Sequence, residues 1–202
     1  MNRETYLNKA IDNHFIEWFS NAGVDHIARS CGGKSLKEIR SKIRVSCGFP
    51  AGVRGTSANK TIGVCWNEGC SSDNSIEIFI SPIIDDSSRV LDILIHELIH
   101  AVLPTGEGHG KNFRKAALKI GLTGKMTATT ASPTLINDLK KVIAKIGTYP
   151  HGKMDINNRK KQTTRMIKHE CFDCNSVWRM SKKYTPESCP CCQSKHICSH
   201  WM

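Results

Sequence analysis

The longest regular pattern of apolar residues runs through the middle of the chain, over residues 89–103. Apolar side chains recur there at helical spacing, which predicts an α-helix. Just ahead of it, residues 85–88 (Asp-Asp-Ser-Ser) offer N-cap side chains, and Pro104 with the glycines beyond it ends the pattern.

Shorter patterns on both sides of this segment predict further elements. Helical spacing predicts helices over residues 5–20, 111–120 and 133–146, the last of these opened by a Ser-Pro pair. Runs rich in β-branched and aromatic residues predict strands over 61–66 and 76–80. The mixture of helices and strands predicts an α+β protein.

Within the central helix, His96 and His100 lie four residues apart. Residues at this spacing share one face of a helix, so two neutral imidazoles one turn apart can bind one Zn²⁺ ion. Glu97 lies about 100° further round the helix, too far to be a third ligand. It is instead the candidate general base for a water molecule that the zinc activates. The same spacing also arises by chance in helices that bind no metal.

A catalytic zinc ion usually has three protein ligands and one open position. His109 is the candidate third ligand, because Gly106, Gly108 and Gly110 surround it and let the chain turn back after the helix. Imidazole suits zinc well. Glu107 is the alternative ligand, since carboxylates also bind zinc.

Ten cysteines are present, and the C-terminal part of the chain contains paired Cys-x-x-Cys spacing. Such pairs indicate a structural zinc ribbon in a reducing compartment rather than disulfides. Bound zinc would stabilise a segment too small to form a core alone. The expected ligands are Cys171, Cys174, Cys189 and Cys192, and the alternatives for completing the set are Cys191, Cys198 and His200.

The net charge of +11 is concentrated toward the C-terminus, where residues 147–202 carry ten Lys and Arg against four Asp and Glu. A basic surface attracts polyanions such as nucleic acid, but it can also serve only to keep a protein soluble. Four residues between the paired cysteines could stack on bases or contact phosphates, unless the ribbon only packs on the rest of the protein. These residues are Trp178, Arg179, Lys182 and Lys183.

Two motifs resemble the SprT-like family of zinc metallopeptidases. They are His-Glu-Leu-Ile-His-Ala at 96–101 and Glu-Gly-His-Gly-Lys-Asn-Phe at 107–113. The resemblance spans roughly residues 60–125 and extends in general form to the paired cysteines. The metzincin pattern fits poorly, because it requires Gly and His where this chain has Leu103 and Gly106.

The resemblance implies a zincin-like metalloprotease domain followed by a small zinc ribbon, with one catalytic and one structural Zn²⁺ ion. It implies peptide-bond hydrolysis with Glu97 as general base, acting on proteins bound or crosslinked to DNA, as in DNA repair. It also implies that the strand before the active-site helix, Ile76–Ile80, lies at the sheet edge and pairs with an extended substrate.

The expected organisation is a metallopeptidase domain at 1–146, a basic linker at 147–168 and the ribbon at 169–202. Two alternative functions are a non-catalytic DNA-binding adaptor and a metallopeptidase whose substrates are unrelated to DNA. The first residues do not resemble a signal peptide, and no run of apolar residues is long enough to span a membrane. We therefore expect a cytoplasmic protein associated with DNA or the nucleoid and with no membrane partner. The sequence does not indicate the oligomeric state.

Overall fold

A computed structural model describes residues 1–49, 61–155, 158, 166–181, 183–184 and 186–200. The chain forms two compact units, Met1–Asn157 and Asn158–Met202. Helices and small sheets are mixed, which confirms the predicted α+β class.

The helices of the first unit confirm all four helical predictions. The Asp86 side chain accepts a hydrogen bond from the Arg89 backbone N–H and caps the central helix. Residues 5–20 are helical but interrupted by a π-helical turn at Ile11–Phe15. The helices are α1 (Arg3–Ala10), α2 (Ile16–Asn21), α3 (Val24–Ser30), α4 (Leu36–Ile39), α5 (Ser87–Val102), α6 (Lys111–Ile120) and α7 (Pro133–Ile146), with 3₁₀ turns at Arg40–Lys42 and Glu68–Cys70.

The three-stranded sheet of this unit corrects one prediction. Its strands are β1 (Ile43–Cys47), β2 (Gly63–Trp66) and β3 (Ile76–Ile80), in the order β1-β3-β2. The prediction that Ile76–Ile80 is the edge strand is wrong, because β3 pairs in parallel with β1 and antiparallel with β2. The parallel partner comes from more than 30 residues upstream, so no local pattern announces it. In the described part of the chain, β2 is the edge strand on that side.

Helix α5 lies at the centre of the first unit. It packs against the sheet strands β2 and β3 and against helices from both ends of the unit. It also packs on the second strand of a hairpin formed by β4 (Leu122–Lys125) and β5 (Ala128–Ala131), which the sequence patterns did not predict. Because α5 is covered on most sides, its apolar pattern is almost continuous.

Residues just after α7 pack on the first unit. Tyr149 is buried and its backbone N–H donates to Ser87 Oγ, while the Met154 N–H donates to Pro82 O. Residues 147–155 of the predicted linker therefore belong to the first unit. Residues 156–157 and 159–165 of that linker lie outside the described residues.

The second unit is a small antiparallel sheet. Its strands are β6 (Met166–Cys171), β7 (Val177–Ser181) and β8 (Ile197–His200), in the order β7-β6-β8. Alternate residues of β6, namely Ile167, His169 and Cys171, are buried. Among the described residues of either unit, none of the helices has the length and apolar character needed to cross a membrane.

Candidate functional site

Three histidine rings converge at the C-terminal half of α5. His96 and His100 project from consecutive turns, and the loop after the helix brings His109 back to them just before α6 begins. Gly106 and Gly108 adopt positive φ angles of 96° and 53° in this loop, a conformation that glycine allows at little cost. The three Nε2 atoms lie 3.2, 3.3 and 3.2 Å apart.

This triangle fits a metal ion. Two nitrogens bound tetrahedrally to zinc at about 2.0–2.1 Å lie roughly 3.3–3.4 Å apart, close to the observed spacing. Burial lowers the pKa of His96 to about 3 and that of His100 to about 4, with charge on the neighbouring imidazoles adding to the effect. Both rings are therefore neutral at physiological pH, which is the form that binds a metal.

The structure groups His109, not Glu107, with the two helix histidines. The Glu107 carboxylate instead accepts hydrogen bonds from the backbone N–H of Asn112 at 2.9 Å and from its side-chain amide at 3.1 Å. Glu107 therefore satisfies a free N–H group in the first turn of α6 and holds the loop that carries His109.

Two residues that the sequence reasoning did not assign to the site support the histidines. The buried Phe113 ring lies 4.4–4.9 Å from all three imidazole centroids and forms a floor beneath them. Thr129 Oγ1 lies 2.8 Å from His96 Nδ1, the ring nitrogen that faces away from the cluster. Phe113 ends the motif at 107–113 but was given no role in the site, and Thr129 lies on a strand that was not predicted.

Glu97 lines the same cleft as the three histidines but is only 6% exposed. Burial raises the pKa of its carboxyl group to about 8, so in the absence of a nearby cation it is protonated at neutral pH. A divalent cation at the histidines would favour the ionised form. Burial, with a smaller effect from Glu97, also raises the pKa of the neighbouring Cys65 thiol and keeps it neutral.

The cleft has a volume of about 1120 Å³. Strand β2 lies along one side of it through Gly63, Val64 and Cys65, and the β4–β5 hairpin contributes Thr127–Thr129. The strand edge beside the histidines is therefore that of β2 and not that of β3.

The charge of Glu97 predicts how the stability of the zinc-free protein depends on pH. The folded protein keeps a proton on Glu97 between pH 4.5 and about 8, whereas the unfolded chain loses it near 4.5. The stability contributed by the neutral carboxyl is therefore complete below pH 4.5 and is lost as the pH rises toward 8. The histidines act in the opposite direction, but only below their ordinary pKa of 6.5.

Between pH 6.5 and 8 the difference between wild type and a Glu97 variant therefore reports on Glu97 alone, because contributions of other groups such as Cys189 are the same in both proteins. With zinc removed by a chelator, we expect the free energy of unfolding of Glu97→Gln to rise relative to wild type across this interval, by up to about 2 kcal/mol. Urea unfolding followed by far-UV circular dichroism measures this difference. A difference that does not change with pH would contradict the prediction.

A second cluster, of four cysteine sulfurs, lies in the second unit. The Sγ atoms of Cys171 and Cys192 are 3.6 Å apart, as are those of Cys174 and Cys189, and all four lie within 4.8 Å of one another. Zinc bound to four thiolates at about 2.3 Å separates its sulfurs by roughly 3.8 Å, so this donor set is also compatible with zinc. Cys191 and Cys198 are not in the group, and the side chain of His200 lies outside the described residues.

Hydrogen bonds favour the thiolate form of Cys189 in this cluster. Burial by itself raises the pKa of Cys189, but contacts with Ser176 Oγ at 3.0 Å and with backbone N–H groups outweigh burial and bring the pKa to about 6. One of these N–H groups is that of Cys191, which donates to Cys189 Sγ. Thiolates are the form in which cysteine binds metal.

The four candidate DNA-contacting residues differ in their surroundings. Arg179 and Lys183 are exposed, whereas the Trp178 ring is half-buried and stacks on His169 with ring centroids 5.7 Å apart. Lys182 lies outside the residues that the structure describes. Arg179 and Lys183 are thus open to solvent, while Trp178 already has a stacking partner.

The fold and the two donor sets define a mixed α+β protein with candidate metal sites in each of its units. The model of the SprT-like family matches residues 28–132, just over half of the chain, and the protein belongs to that family. Comparisons with curated proteins and with solved structures find no match.

Proposed function

We propose that the protein is a zinc-dependent metalloendopeptidase with a zincin-like catalytic domain. The observation that carries this proposal is the triangle of three histidine Nε2 atoms 3.2–3.3 Å apart, at a cleft that Glu97 also lines. Membership of the SprT-like family supports it. A donor set for a purely structural zinc would need no carboxyl group beside it and no open cleft.

In this proposal, His96, His100 and His109 hold the catalytic zinc ion. When bound there, zinc supplies Lewis-acid chemistry: it polarises a carbonyl group and lowers the pKa of a water molecule. Glu97 accepts a proton from the attacking water and later donates it to the nitrogen of the leaving amine. Burial suits Glu97 to both roles, because it brings the pKa of this carboxyl group closer to neutral pH than the pKa of an exposed carboxyl group.

Strand β2 is the proposed binding surface for the substrate backbone. In the described part of the chain, its side that faces away from β3 pairs with no other strand. An extended peptide can add to such an edge through main-chain hydrogen bonds. The cleft beside β2 contains the histidines, so a peptide bound there would pass the candidate metal centre.

We further propose that the substrates are proteins bound or crosslinked to DNA, so that the enzyme acts in DNA repair. The supporting observation is the concentration of positive charge in residues 147–202, together with the exposed Arg179 and Lys183. In this arrangement the metallopeptidase domain is joined by a basic segment to a zinc ribbon that holds the second zinc ion and contacts DNA.

The experiment compares cleavage of one DNA-binding protein in three forms: free, mixed with DNA, and crosslinked to DNA. Zinc-loaded protein should cleave the DNA-mixed and crosslinked forms faster than the free form, with products read on a gel. Equal cleavage of all three would support a metallopeptidase unrelated to DNA. DNA binding without cleavage of any form would support a non-catalytic adaptor.

Gly63 provides a test of the active-site geometry. A methyl group at this position would lie 2.5 Å from Glu97 Oε1 and 2.6 Å from Ile93 Cγ2. Gly63→Ala should therefore displace the carboxyl group and lower the cleavage rate by about 10²-fold. The matched control is Gly152→Ala, where a methyl group meets nothing within 4 Å. Equal cleavage rates for the two variants would show that the Glu97 carboxyl group keeps its function with a methyl group at position 63.

A further inference from the structure

One face of α5 joins the histidine cluster to the β4–β5 hairpin. Arg89, Asp92 and His96 lie at positions i, i+3 and i+7, which places their side chains along the same side of the helix. Strand β5 packs on α5. All three side chains make hydrogen bonds to residues of β5.

These hydrogen bonds form a continuous network. Arg89 Nη1 donates to both carboxylate oxygens of Asp92, at 2.8 and 2.9 Å, and to the backbone carbonyl of Thr129 at 3.0 Å. Asp92 Oδ2 accepts from the backbone N–H of Ala131 at 3.2 Å. The helix thus binds the strand on both sides of residue 130, through the carbonyl of Thr129 and the N–H group of Ala131.

Asp92 and Thr129 are almost completely buried, with 5% and 6% exposure. A buried carboxylate is costly unless it is paired and hydrogen-bonded. Here Arg89 supplies the opposite charge and Ala131 a further donor. The pair is therefore a fixed contact between α5 and β5, unlike an exposed ion pair whose partners move freely.

The Thr129 side chain points from this fixed strand to His96, where Oγ1 lies 2.8 Å from Nδ1. For Nε2 to bind a metal, the neutral ring must carry its proton on Nδ1. Thr129 Oγ1 can accept a hydrogen bond from that N–H group. Partners of this kind fix the tautomer and the orientation of a metal-binding histidine.

We propose that Thr129, Arg89 and Asp92 are positioning residues for the candidate metal centre. Arg89 and Asp92 hold β5 in register against α5, and Thr129 then holds His96 with its Nε2 lone pair directed at the metal. This inference rests on the proposed zinc site of His96, His100 and His109.

The test measures zinc affinity of the full-length protein by competition with a chromophoric chelator, so it does not depend on protease activity. Thr129→Val should weaken zinc binding at the histidine site by about 10–100-fold. Thr129→Ser keeps the hydroxyl group and should restore affinity to near the wild-type value. Thr130→Val makes the same kind of change at the neighbouring exposed position and should leave affinity unchanged. The cysteine site serves as an internal reference that none of these variants should alter.

A double-mutant cycle tests whether Asp92 acts through Thr129. Asp92→Asn should weaken zinc binding in the wild-type background but cause little additional loss in Thr129→Val, because the contact that it positions is already absent. Arg89→Lys keeps the charge but replaces the rigid, planar guanidinium with an ammonium group on a flexible side chain. It should loosen the contacts with Asp92 and Thr129 and show the same dependence if Asp92→Asn does not fold. In the zinc-free protein, nitrogen-15 NMR of the imidazole should show Nδ1 protonation of His96 dominant in wild type and no longer dominant in Thr129→Val.

Two results would overturn the inference: wild-type zinc affinity in Thr129→Val, or fully additive losses in the double mutant. Failure of the wild-type protein to bind a metal ion at the histidines would instead remove the proposed function itself. The two failures are distinguishable, because only the second is visible in the unsubstituted protein.

Discussion

Glu97→Gln is expected to lower peptide-bond cleavage by about 10²–10⁴-fold while leaving the zinc content of the protein unchanged. The amide has nearly the same shape as the carboxyl group, so it should fit the space beside Gly63 and Ile93. It cannot accept the proton of the attacking water, however, and it supplies no proton to the leaving amine. The measurement combines the rate of substrate cleavage with metal analysis of the purified variant.

A matched control is Glu68→Gln, which makes the same change at another carboxyl group lining the cleft. Glu68 forms ion pairs with Lys34 and Lys42 at the protein surface, and such pairs contribute little to stability. This variant should cleave at close to the wild-type rate. Wild-type activity in Glu97→Gln would eliminate Glu97 as the general base, whereas loss of zinc would indicate a structural effect.

The second large effect is expected in the C-terminal unit. Cys171→Ser should abolish zinc binding by the four-cysteine cluster and unfold this unit, because thiolate-bound zinc contributes on the order of 10 kcal/mol to small zinc-dependent folds. Among the residues of this unit that the structure describes, few side chains are buried, so little else would hold its three strands together. The zinc content should fall from two ions per chain to one, and the amide signals of β6–β8 should lose their dispersion in NMR spectra.

Cys191→Ser is the matched control for this experiment. Cys191 is exposed and lies next to Cys192 in the sequence, but its thiol is outside the cluster of four sulfurs. The control variant should keep two zinc ions and a folded C-terminal unit. Loss of zinc from Cys191→Ser with retention in Cys171→Ser would mean that the ligand set differs from the one that the structure groups together.

The parts of the site that could be predicted from the sequence are those encoded by short-range spacing. His96 and His100 share a face because they are four residues apart on a helix, and the helix itself follows from its apolar pattern and its Asp86 cap. The paired cysteines likewise lie close together through local turns. The group of four was the expected ligand set because zinc ligands recur at this spacing, with Cys191, Cys198 and His200 as alternatives.

The parts that could not be predicted depend on contacts between distant segments. The pairing of β1 with β3 places Ile76–Ile80 inside the sheet and leaves β2 at its edge. Thr129 reaches His96 only because the unpredicted hairpin packs on α5. The closeness of Gly63 to Glu97 has the same origin, since it follows from β2 packing against the helix.

By itself, the sequence determined which side chains can bind metal and which of them share a helical turn, because helix geometry fixes neighbours three and four residues apart. It also favoured His109, through the glycines that allow the chain to reverse. Only the tertiary structure decided which strand borders the cleft, what supports His96 and how deeply Glu97 is buried. Those features arise from the packing of segments far apart in the chain. A local pattern of residues predicts that a face will be buried, but not which distant segment will cover that face.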